Sequence, residues 1–152
     1  MTTMTSTTMN HPHQPAVRAM HAGLVLTATA TIAPYVDRAT TGLLASHIHA
    51  GWPAYSQARI DSAVTTWLVI LSVMGALGVA GWAGTIWATR SGKSWARWTA
   101  TSLFALGVSV AMTLALVTEP TGQQGLPALL AWIGVLPSIA GAVAVVRLWR
   151  KS

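Results

Sequence analysis

The stretch Ala22 to Val36, AGLVLTATATIAPYV, decides how many times this chain crosses a membrane. It is fifteen residues rich in Ala and Thr, set between His21 and Asp37. A helix needs about 20 apolar residues to cross a hydrocarbon core roughly 30 Å thick. Three longer uncharged runs follow, Ser62 to Thr89, Trp98 to Thr118 and Leu126 to Val146. With 53% hydrophobic and 8% charged residues in 152, the composition is that of a membrane protein. The open question is three spans or four.

Charge answers it. Counting the first stretch as a span puts Arg18, then Arg90, Lys93 and Arg97, then Arg147, Arg150 and Lys151 on one side, seven basic residues. The other side holds two, Arg38 and Arg59, with all three acids, Asp37, Asp61 and Glu119. The positive-inside rule then places both termini in the cytoplasm of a multi-pass protein of the cytoplasmic (inner) membrane. Trp87, Trp95, Trp98 and Trp149 flank the basic clusters, and Tyr35, Trp52, Tyr55 and Trp67 flank the opposite boundary, as interfacial belts do. Trp82 and Trp132 lie deeper and read as packing residues.

The predicted fold is therefore an all-α membrane protein, four transmembrane helices in a bundle with a short interfacial helix in the external first loop. Residues 1 to 20 read as a disordered cytoplasmic tail, Thr-rich and without apolar periodicity. Residues 21 to 152 read as the membrane domain, with spans at about 20–37, 62–89, 97–118 and 126–147. A competing reading takes residues 1 to 33 as a cleaved signal peptide, since TATATIAP ends a short apolar stretch in small residues. The single Arg18 and the long polar tail are atypical of one.

The first connection, residues 38 to 61, exceeds the 2 to 8 residues typical of a helix-to-helix turn and is the candidate functional loop. Leu44, Ile48 and Trp52 recur at helical spacing, Gly51 and Pro53 stop that helix, Tyr55 follows, and Ser56 is a candidate N-cap for the next span. The helix should lie in the membrane interface with Leu44, Ile48, Trp52 and Tyr55 as its contact surface.

His47 and His49 raise a metal site, with Asp61 and Glu119 as the nearby acids. Two positions apart on a helix they diverge by about 200°, so the expectation is no metal. His11 and His13 lie in the tail, on the other side. Only His21 is near a span, so no haem or other cofactor is expected. The absence of cysteine excludes thiolate catalysis, disulfides and Cys-ligated metals. Basic residues scattered at span ends form no nucleic-acid face, so no nucleic acid is expected.

No ionisable group lies within the spans, which removes the usual mark of a proton or ion pathway. Thr27, Thr29 and Thr31 offer only hydroxyls, which bond back to the helix or across to a neighbour. Small residues recur instead: Gly75, Gly78, Gly81 and Gly84 at three-residue spacing, and Ala76, Ala80 and Gly84 at four. Gly107, Ala111 and Ala115, then Gly134, Ser138 and Ala142, repeat the four-residue spacing. Such positions permit close helix packing, within the bundle or against another chain. Pro137 should kink the fourth span; such a kink is more often only a packing feature, the alternative being a pocket for lipid or quinone near the bilayer centre.

The sequence GWPAYSQARID, followed by AVTTWLVILSV and TIWATRSGKSWARW, resembles small four-span integral membrane proteins of actinobacteria that carry no assigned activity. The likeness covers residues 35 to 150, is general rather than tied to a motif, and implies the four-span architecture and nothing catalytic. The expected function is a non-enzymatic accessory or interaction component of the membrane. Its partners would be the lipid bilayer and a membrane protein, or a homo-oligomer of itself. The alternative is an oligomeric small permease or a lipid- or quinone-binding protein; a third is an oxidoreductase or hydrolase built on His47, His49 and the outer acids.

Overall fold

The computed structural model describes residues 14 to 120 and 122 to 150. Five helices account for nearly all of them: α1 (Gln14–Ala39), α2 (Leu43–Gly51), α3 (Gln57–Arg90), α4 (Ala96–Leu116) and α5 (Ala128–Trp149). All but α2 are long and apolar enough to cross a membrane, which makes this a multi-pass membrane protein by length and composition. Among the described residues there is no strand, only one isolated antiparallel bridge between Thr118 and Gln124. Leu129, Trp132 and Ile139 of α5 stand exposed with much of the other outward surface. So large an apolar surface suits lipid, not water.

The stretch Ala22 to Val36 lies wholly inside α1, which is helical well beyond it at both ends. At its start, residues 14 to 20 are helical although the sequence there reads as tail. The reason is tertiary: Ala16 and Met20 are buried against Ile86, Ala100, Ala144 and Leu148, and Arg147 donates a hydrogen bond to the Pro15 carbonyl at 3.2 Å. Residues 1 to 13, the rest of the expected tail with His11 and His13, lie outside the described residues. α3 begins at Gln57, next to the candidate cap Ser56 and ahead of the uncharged run from Ser62, and its Ile60 joins Val64 and Leu68 in a buried row. Ser56 stands at its N-cap in extended backbone, and its side chain makes no capping hydrogen bond.

α1 is the hub. It packs extensively on both α5 and α3, and α4 packs on α5. α3 and α4 meet only along a sparse seam, and the backbones of α3 and α5 make no close approach. Two apolar clusters close the ends. One, at the terminal end, joins Ala16, Met20, Ile86, Ala100, Ala144 and Leu148. The other, at the α2 end, joins Leu44, Ile48, Ile60, Val64, Leu68, Leu126 and Leu130.

The turn from α1 into α2 is built on Asp37, which is buried. Its carbonyl accepts the amides of Thr41 and Gly42 at 3.0 and 2.8 Å, ending α1. Its carboxylate accepts the Thr41 hydroxyl and the amides of Leu43 and Leu44, at 2.8 and 3.0 Å for the amides, starting α2. Gly42 sits between them at φ 62°, a left-handed conformation that favours glycine.

Candidate functional site

The α2 end is a cap formed by two connections. α2 turns Leu44 and Ile48 inward against α3 and the Leu126 to Leu130 segment, so its apolar stripe is covered by protein. Trp52 ends the helix and stacks on Tyr55, ring centroids 5.1 Å apart at 16°. Arg59 lies over the Tyr55 ring at 5.2 Å. The Trp52 indole N–H donates to the Glu119 carboxylate, and His47 Nε2 meets the Gln124 carbonyl at 2.5 Å. A carbonyl only accepts, so Nε2 carries the proton. The connection between α4 and α5 is thereby tied to α2 through side chains rather than a sheet.

The four candidate metal ligands are dispersed among these roles. His47 and Glu119 are engaged as described, His49 is exposed, and Asp61 is exposed and accepts a hydrogen bond from the Gln57 amide at 3.1 Å. Among the described residues no group of three or more His, Cys, Asp or Glu side chains comes together.

Between the ends, an apolar cavity of about 430 Å³ runs among the four long helices. Its wall from α1 carries Thr27, Thr31 and Pro34; that from α3 carries Gly75, Gly78, Gly81 and Trp82. From α4 come Phe104, Gly107 and Ala111, and from α5 come Gly134, Pro137, Ser138 and Gly141. Leu77 and Leu106 also line it yet are 63% and 62% exposed, so the cavity opens sideways along the α3–α4 seam.

The small residues of the expected packing set divide into two kinds. A side chain at Gly75 would overlap Thr31, and a Cβ at Gly78 would come within 2.9 Å of Thr27, so these two set the close approach of α3 to α1. Gly81 faces Leu103 across the seam, its added Cβ at 3.6 Å. Gly84, Gly107 and Gly134 have nothing within 4 Å of an added Cβ. Ala80 is exposed, while Ala111 and Ser138 are half-buried.

Trp82 is the residue whose importance spacing did not reveal. Its indole N–H donates to the Thr27 hydroxyl at 3.0 Å, which itself donates to the Gly23 carbonyl at 2.8 Å. The ring lies against Gly23 of α1, where any Cβ would overlap it, and a Cβ at Gly141 of α5 would come within 3.7 Å of it and 2.7 Å of Phe104. One tryptophan thus reaches from α3 to the hub, α1, and to the hub's other large neighbour, α5. Thr31 donates to the Thr27 carbonyl and Thr85 to the Gly81 carbonyl, each at 2.8 Å. These three lining threonines therefore have their hydroxyl protons engaged within the protein. Comparison with known protein families, curated proteins and solved structures found no match.

Proposed function

We propose that this protein is a non-enzymatic component of the cytoplasmic membrane, a four-helix bundle with both termini in the cytoplasm, that works by binding another membrane component along the α3–α4 seam. The observation that carries this reading is the apolar cavity opening sideways between Leu77 and Leu106. Its threonine protons are engaged internally, and no charged residue lines it. A wall of that kind offers no proton relay and no ion path, but it offers dispersion contacts to an apolar guest. The seam also favours the cavity over the first loop as the binding surface, since Leu44 and Ile48 are already covered.

A photoreactive benzophenone side chain at Leu77 or Leu106, in cells, is expected to capture a membrane component that the same group at the equally exposed Trp132 does not. Equal capture from all three positions would overturn the seam as a binding site.

A further inference from the structure

The dimensions of the cavity restrict what fills it. Along α4 its lining runs from Ala100 to Leu114, about 21 Å at 1.5 Å per residue. Over that length, the about 430 Å³ open to the centre of a water molecule averages on the order of 20 Å² in section, and the ~1.4 Å radius of that water widens the void to roughly 50 Å², short of the ~80 Å² section of a helix 10 Å across. A transmembrane helix of a partner or of a second copy is too thick to lie in it. A polymethylene chain is not.

Chemistry restricts the guest further. A quinone ring brings two carbonyls that need donors; Trp82 Nε1 and the hydroxyls of Thr27, Thr31 and Thr85 are spent on the protein itself, which leaves the Ser138 hydroxyl for at most one of them. Water gains little among Leu103, Phe104, Leu114 and Leu130, and apolar cavities stay dry. An empty cavity would forfeit dispersion contacts along its whole wall. Lipid tails lie directly outside the seam in a membrane-spanning protein.

We infer that the cavity holds one hydrocarbon chain of a membrane lipid, inserted sideways between α3 and α4 with its head group left at the membrane surface. This rests on the reading that the seam binds a membrane component. Gly107 and Gly134 are the residues that leave room for the chain: both line the cavity, and an added Cβ at either meets no protein atom within 4 Å.

The test uses the full chain in vesicles of phosphatidylcholine bearing a diazirine midway along one acyl chain. After irradiation, labelled peptides are expected at cavity positions around Phe104 to Ala111 and Gly134 to Ser138, as well as at outward residues such as Trp132. Gly107→Leu and Gly134→Leu should each lower cavity labelling several-fold relative to Trp132. Gly84→Leu adds the same bulk in open space outside the cavity and should not. Should one leucine variant fail to fold, the other and the labelling map of the parent still decide.

Labelling confined to outward residues, or cavity labelling unchanged by both variants, overturns the inference. If the cavity is unlabelled while the benzophenone at Leu106 captures a protein or a second copy, the seam remains a binding site and the chain does not. If neither labels, both fall.

Discussion

At the scale of single residues, the glycines separate by what faces them. Gly23→Ala should push the Trp82 ring off α1 and lower stability by about 1 to 3 kcal/mol, as overpacking does. Gly84→Ala meets open space and should leave stability unchanged or slightly raised, because alanine is the better helix former by about 1 kcal/mol. The midpoints of heat unfolding in detergent for the two variants check this; equal effects would mean that Trp82 does not rest on Gly23. Sequence spacing put Gly78, Gly81 and Gly84 in one class because periodicity reports a helix face, and a face says nothing of what lies opposite. The pairing of Gly23 with Trp82 joins residues far apart in the chain, and no local pattern carries it.

At the scale of elements, α2 shows how a helix of nine residues persists. A helix so short is marginal alone; here Asp37 satisfies two of its first amides, and Leu44 and Ile48 anchor it. Asp37→Ala should strand those amides at a cost of about 1 to 3 kcal/mol. Hydrogen exchange of Leu43 and Leu44 is expected to quicken while the middle of α3 stays protected; uniform quickening would mean that Asp37 supports the whole fold. The existence of α2 was legible from Leu44, Ile48 and the Gly51 to Pro53 stop, and the four long helices from their uncharged runs. What was not legible was the partner of the apolar stripe, since the same spacing serves lipid or protein. Asp37 read only as a charge ending a span, because nothing in its neighbours announces that the chain folds back over it. For the cavity, Pro137 and the small residues marked the region, while its sideways opening depends on how α3 and α4 pair.

At the scale of the molecule, the proposed orientation is open to direct test because the chain has no native cysteine. Ser46→Cys at the α2 end should react with an impermeant thiol reagent in intact cells, and Ser91→Cys, in the turn between α3 and α4, should react only after lysis. The opposite pattern would invert the protein in the membrane. The hub position of α1 bears on how the protein is made. α1 is the least apolar of the four long helices, so its hold on the bilayer alone is the slightest, and its most extensive partner, α5, is the last to be synthesised. During translation α1 is therefore expected to rely on α3 or on the insertion machinery until α5 has been made. A nascent chain halted before Ala128 would present Ala16 and Met20 without Ala144 and Leu148, the α5 half of their cluster, an unfinished product that membrane proteases can recognise.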